Sequence, residues 1–243
     1  ALVAGAINAV AGGGSFFTFP ALVFTGVAPV TANATSTVAL WPGSVASVGA
    51  YRRELAKIGR RDLLAFSIIS VIGGVIGAFL LLRTSQKGFL AIVPYFLLFS
   101  TLVFALRGSI TRWTHRRSGE TPQSHWAFVR ACALQFVIGI YGGYFGGGIG
   151  ILMLASYSVL GMTDIHVMNA LKTVLASVIN GVAVLIFALS GIVVWPVALL
   201  MVVAAILGGY GGAAIARRLD PRWVQWFVVA VGAALTVYFF VYQ

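Results

Sequence analysis

Acidic residues are nearly missing from this 243-residue chain: Glu54, Asp62, Glu120, Asp164 and Asp220 are all it has. None lies at the centre of an apolar run, so a carboxylate relay for protons or sodium is not visible. The single cysteine, Cys132, excludes an intrachain disulfide and any cysteine metal cluster, and it reads as a small packing residue. No metal-ligand spacing occurs, no nucleotide-type phosphate loop, and no Ser–His–Asp set that could meet. No cofactor and no metal are therefore expected, and an enzyme ranks last among the classes of function. Charge of either sign is scarce, at 9% of residues against 60% hydrophobic. A soluble domain of this length could not cover its surface with that balance.

Long apolar runs stand where polar sequence is lacking. Runs of twenty or more residues recur from end to end, each able to cross about 30 Å of hydrocarbon. Strands of a membrane barrel would instead alternate apolar and polar over about ten residues. The expected fold is an all-α integral membrane protein, multi-pass in the lipid bilayer. The net charge of +11 comes from Lys and Arg in short loops. That is the orienting pattern of membrane proteins, and it points away from nucleic acid as a partner. The chain begins at Ala1 inside an apolar run without a charged leader, which reads as no signal peptide and some upstream residues missing.

The sequence says one thing twice. Gly5, Gly12, Gly13 and Gly14 match Gly139, Gly146, Gly147 and Gly148 at a spacing of 134. Asn33-Ala-Thr-Ser-Thr-Val38 matches Asn169-Ala-Leu-Lys-Thr-Val174 at 136, and Gly73-Gly74-Val-Ile-Gly77-Ala78 matches Gly208-Gly209-Tyr-Gly-Gly212-Ala213 at 135. Three blocks in one order at nearly one offset imply two homologous membrane repeats, residues 1–108 and 127–243, joined by a basic solvated linker, 109–126. Each repeat has four apolar segments: about 1–26, 31–51, 63–82 and 89–106, then 127–160, 165–190, 192–216 and 223–242. The first segment of each is broken at its glycines.

Segment 127–160 would be about 50 Å long as one helix, too long for an upright span. Charge separates a full crossing from a re-entrant hairpin. If all eight segments cross, loops 52–61 and 107–130 place ten positive residues on one side, against Arg83, Lys87, Arg217, Arg218 and Arg222 on the other. If the first segment of each repeat turns back, the repeats are inverted and the split becomes thirteen to two. The inverted arrangement obeys the positive-inside rule better and is the expected one.

The glycine triplets carry the functional reading. Gly12, Gly13 and Gly14, and Gly146, Gly147 and Gly148, strip side chains from backbone at membrane depth, where unpaired amides are tolerated only against protein or a water-filled cavity. They would offer N–H groups to an anion, with half-helices from Ser15 and Ile149 pointing their positive ends at it. Close helix packing is the competing reading. The Gly73-Gly74 and Gly208-Gly209 blocks read as packing seams. Asn33, Thr37 and Ser44 share a helical face with Ser36 beside them. Asn169, Thr173 and Asn180 repeat that spacing, with Lys172 and Ser177 alongside. Such groups could coordinate an oxyanion or bond between helices. Lys172 either serves the solute or its coupling ion, or snorkels to the interface; its counterpart is Ser36. His166 reads as interfacial, and Trp41 and Pro42 as a hydrophobic wall and a kink.

These residues resemble those of the sulfite exporter TauE/SafE family of bacterial membrane permeases. The resemblance rests on Ala11-Gly-Gly-Gly-Ser15 with Pro20, Ala34-Thr-Ser-Thr37 and Arg52-Arg53. In the second half it rests on Phe145-Gly-Gly-Gly-Ile149 and Asn169-Ala-Leu-Lys-Thr173. One departure is Leu154 where Pro20 stands in the first half, so the two breaks are expected to differ in geometry. The resemblance implies transport of sulfite or organosulfonate anions across the bacterial inner membrane. A secondary transporter working by alternating access is the expected function, with a small anion as partner. A passive anion channel and a permease for a non-sulfur carboxylate are the alternatives. A homodimer is left open: dimers are common among such proteins, but no coiled coil or interface signal shows.

Overall fold

The computed structural model describes residues 1–11, 14–117, 125–162, 164–216 and 221–241. Every element among them is helical. The first half holds α1 (Leu2–Ala11), α2 (Ser15–Phe24), α3 (Pro29–Val48), a 3-10 turn (Gly49–Tyr51), the single-turn α4 (Arg52–Leu55), α5 (Arg60–Arg83) and α6 (Gln86–Arg117). The second holds α7 (His125–Tyr144), α8 (Ile149–Val159), α9 (Ile165–Ser190), α10 (Trp195–Ala216) and α11 (Pro221–Val241). The stretch expected as a solvated linker from residue 109 is helical as far as Arg117, because α6 runs on past its apolar part.

Among the described residues, three helical stretches are long and apolar enough to cross a membrane: Arg60–Arg83, Gln86–Val103 and Ile165–Ser190. Ser15–Phe24, Phe128–Tyr144, Ile149–Val159, Trp195–Gly209 and Trp226–Val241 are apolar but shorter. α3 joins neither group, since Asn33, Ser36, Thr37, Ser44 and Ser47 lower its hydropathy. It lies inside the bundle, with Val30 and every residue from Ala32 to Ser36 buried. The outer wall is greasy: Leu64, Ile68, Phe79, Leu200 and Leu207 are exposed on α5 and α10, as a lipid-facing surface requires.

Local signals set the helix ends. Proline opens α3 at its first position, where its missing N–H costs nothing. Ser85 caps α6 by accepting the Gly88 N–H at 3.1 Å. Asp164 caps α9, accepting the N–H groups of His166 at 2.9 Å and Val167 at 3.3 Å. Those amides, the Val167 bond foremost, and the Lys57 ammonium at 3.6 Å hold the Asp164 carboxyl below its ordinary range. α2 and α8 end alike, on Gly26 and Gly161, both at φ 87°. Val27 N–H bonds Leu22 O and Met162 N–H bonds Tyr157 O, the Schellman pattern in both cases. The two glycines lie 135 apart, so the spacing of the sequence blocks extends to a fourth, structural feature.

Both glycine breaks reverse the chain. The Tyr157 hydroxyl donates to Gln135 Oε1 at 3.4 Å, whereas a straight helix would separate these residues by about 33 Å. α8 therefore doubles back along α7. In the first half Gly14 lies against the Ala4 carbonyl, a Cβ there falling 2.8 Å from its oxygen, so the chain has turned back on α1 where α2 begins.

Helix pairing is reciprocal between the halves. α5 packs along α7, and α1 packs along α10. The seams use the paired glycine blocks. A Cβ on Gly73 would lie 2.7 Å from the Phe136 carbonyl oxygen, and one on Gly208 would clash with the Leu2 carbonyl, the residue 134 before Phe136. These glycines let two backbones touch, as small-residue seams do. α3 and α9 cross at the centre and run in opposite directions. Thr35 Oγ1 accepts the Val194 N–H at 3.2 Å beyond the end of α9, Trp41 Nε1 donates to Ser177 O at 2.9 Å, and Lys57 meets Asp164 at its start. Trp41 is thus an anchor between helices. Its bonding partner, Ser177, is the position 136 residues on.

Candidate functional site

The break between α7 and α8 gathers polar groups from α3, α6, α7 and α9. α7 ends at Tyr144, and Phe145 to Gly148 make the turn. Gly146 has φ 73° and Gly148 φ 74°, left-handed values that a residue with a Cβ adopts at a cost. Two carbonyls at the turn take side-chain donors. Tyr144 O accepts from Asn33 Nδ2 at 3.0 Å. Gly147 O accepts from Tyr141 OH at 2.6 Å and Ser100 Oγ at 3.1 Å, and these hydroxyls lie 2.6 Å from each other. The amides divide: those of Phe145 and Gly146 donate to Tyr141 O, whereas those of Gly147, Gly148 and Gly150 make no hydrogen bond among the described residues. Asn180 stands close, its Oδ1 3.6 Å from where a Gly146 Cβ would be.

Lys172 comes down over this helix start. A Cβ on Gly150 would lie 3.2 Å from Lys172 Cδ, so the aliphatic stem rests on the first turn of α8. Its ammonium turns one helical turn back and donates to Asn169 Oδ1 at 3.0 Å. An ammonium has three donors, and among the described residues the one ion pair is Lys57–Asp164, so no carboxylate neutralises Lys172. A cation without a counter-ion, on the helix packed against a helix start with unsatisfied amides, is an arrangement that attracts an anion.

The other expected residues divide. Thr173 and Thr37 bond their own helices, at Asn169 O and Asn33 O. Asn33 is brought to the second-half break, where its amide is committed to Tyr144 O. Ser36 is sealed at 1% exposure and shares its hydrogen bond with Thr18 at 2.5 Å, so it serves the contact between α2 and α3. Gly14 has φ −57°, in the right-handed region where Gly148 is left-handed, so the two breaks do differ. Gly14 N–H bonds Asn8 Oδ1 at 3.4 Å. Gly12 and Gly13 lie outside the described residues, as do Arg217 and Arg218, on which part of the charge count rests. The described residues gather no group of three His, Cys, Asp or Glu able to hold a metal.

Sequence reasoning missed Ser100 and Tyr141. Their counterparts at the repeat spacing, Leu235 and Ile7, are apolar, so a search for repeated polar positions passes over them. Ser177, expected on the polar face of α9, has its Oγ buried without a partner at the crossing of α3 and α9.

Comparison with known proteins agrees with this picture. The family model described as "Sulfite exporter TauE/SafE" matches residues 1–239. A "Probable membrane transporter protein ORF9" of Sinorhizobium sp is 28% identical over 98% of this chain and 88% of its own length. A "Probable membrane transporter protein" of Haemophilus influenzae is 26% identical over 96% and 89%. "Probable membrane transporter protein YfcA" of Escherichia coli K12 is 25% identical over 97% and 85%. No solved structure matches the chain. The chain belongs to the sulfite exporter TauE/SafE family of membrane transporters.

Proposed function

We propose that this protein is a secondary carrier of a small sulfur-containing oxyanion, sulfite or an organosulfonate, in the bacterial inner membrane. The observation that carries the reading is Lys172, without a counter-ion and with its stem against Gly150, beside a helix break where the N–H groups of Gly147, Gly148 and Gly150 make no hydrogen bond among the described residues. An oxyanion would take N–H groups from the turn and charge from Lys172, with Asn169, Thr173 and Asn180 beside it. The family name supports sulfur chemistry in the solute.

Movement is by alternating access between two inverted repeats, 1–108 and 127–243. The opposed directions of α3 and α9, and their contact at Trp41 and Ser177, support inversion, since an axis relating the halves must pass where equivalent positions meet. The Lys57–Asp164 pair supports it independently. If every apolar segment crossed the membrane, the turn at Lys57 and the turn at Asp164 would lie on opposite faces, about 30 Å apart. With α7 and α8 as a re-entrant hairpin they share a face.

Counterflow of labelled sulfite in proteoliposomes, competed by sulfonates, sulfate, thiosulfate and acetate, tests the proposal. Saturable exchange competed by sulfur oxyanions, and at least tenfold weaker in Lys172→Ala, is the expected outcome. Flux without saturation or counterflow would make the protein a channel. Competition by acetate alone would move the substrate to carboxylates, and unchanged transport in Lys172→Ala would remove the electrostatic part.

A further inference from the structure

Ser100 and Tyr141 have no place in the transport reading so far, yet together they set two hydroxyls on one atom of the turn, the Gly147 carbonyl oxygen, with one proton each for the three close contacts. Tyr141 OH lies 2.6 Å from it and Ser100 Oγ 3.1 Å, with 2.6 Å between the hydroxyls. Ser100 is 1% exposed. The ring of Tyr141 is fixed by edge contacts to Phe96 at 5.4 Å and Phe145 at 6.2 Å, so the hydroxyl has little freedom to leave.

A trans peptide unit is planar, with its C=O and N–H pointing in opposite directions. Fixing the Gly147 carbonyl therefore also fixes the N–H of Gly148, on the face turned away from Ser100 and Tyr141. A peptide between two glycines has the widest choice of orientation of any in the chain, and without an anchor it could flip and present its carbonyl to an incoming anion. We propose that Tyr141 and Ser100 are positioning residues for the anion site: they hold the Gly147–Gly148 peptide so that it offers a donor, and its acceptor end stays occupied by hydroxyls. This rests on the transport reading above and on the open amides and Lys172 that support it.

The arrangement belongs to one half. Ile7 and Leu235 occupy the corresponding positions, and the other half carries Ser36 where Lys172 stands. Charge and peptide anchor thus fall at the same break, which concentrates anion recognition on the second repeat.

The test compares Tyr141→Phe, Ser100→Ala and the double variant with native protein in sulfite counterflow, with the thermal midpoint in detergent read alongside. Tyr141→Phe keeps the ring and removes only the hydroxyl. The expected result is a KM for sulfite raised about three- to tenfold in each single variant, as for one hydrogen bond lost. The maximal rate should change less than KM, and the double variant should be little worse than the worse single, because both hydroxyls serve one carbonyl. Ser100→Thr, which restores a hydroxyl, should return KM toward the native value. A lowered midpoint and a lowered maximal rate with native KM would assign the two hydroxyls to folding alone and overturn the inference. Native exchange with unchanged KM in all variants would overturn it too while leaving the transport reading intact, whereas a native protein that exchanges no anion would overturn both.

Discussion

At Gly148 the backbone turns with φ 74°, and α8 begins from that residue; at Gly14, its counterpart, φ is −57° and α2 begins. The two glycines answer different demands. Gly14 is short of room, for a Cβ there would lie 2.8 Å from both the Ala4 carbonyl oxygen and Asn8 Cβ. Gly148 is held by conformation first, with Ser100 Cβ 3.0 Å away as a second constraint. Gly148→Ala should destabilise the fold by about 1–2 kcal/mol from the left-handed dihedral alone, read as a lower thermal midpoint in detergent. A native midpoint would mean that the turn rearranges freely. The triplet announces a break in the sequence, but it does not say which glycine is left-handed. That depends on Asn33, Ser100 and Tyr141 binding particular carbonyls of the turn, the first two from other helices and Tyr141 from the last turn of α7 itself.

Helix pairs place the breaks where they are. α5 grips α7 through Gly73 and Gly77, the latter directly against the Ile140 carbonyl, and nothing larger than hydrogen fits between the backbones. Gly77→Leu should part these helices and cost well over 2 kcal/mol, consistent with overpacking of a tight contact, and transport should fall with stability. Gly43 on α3 has open space around it. Gly43→Ala should stabilise α3 by about 0.5–1 kcal/mol, since alanine restricts the unfolded chain and suits a helix. Opposite shifts of the thermal midpoint in the two variants would separate seam glycines from incidental ones; equal shifts would remove the distinction. The G-G-x-x-G blocks were legible as seams because spacing by four on a helix keeps small residues on one face. Their partners were not legible, since α5 meets α7 and α1 meets α10 across more than sixty residues of chain.

The whole molecule treats its two polar faces unequally. On α3, Asn33 is 2% exposed and Val30 4%, with the Val30 N–H held by Gln86 at 2.8 Å. On α9 the matching His166 is exposed and Asn169 half-buried, under the Lys57–Asp164 pair, which is itself well exposed. Under the carrier proposal this conformation opens toward the side of the Lys57 turn and is shut on the other. In a Cys132→Ser background, Asn169→Cys should react with an impermeant thiol reagent from that side, and Asn33→Cys should react from neither. Labelling of both at equal rates would sink the assignment. By itself the sequence determined that the protein lives in a bilayer, that its helices break at glycine triplets and that its blocks recur at one spacing, because composition, backbone freedom and repetition are local properties of a chain. Only the tertiary structure decided that the breaks reverse the chain, that Ser36 is sealed while Lys172 rests its stem on the first turn of α8, and that Ser100 and Tyr141 bond the Gly147 carbonyl. Those outcomes depend on which helices touch, and contacts between distant segments are set by packing that no single segment carries.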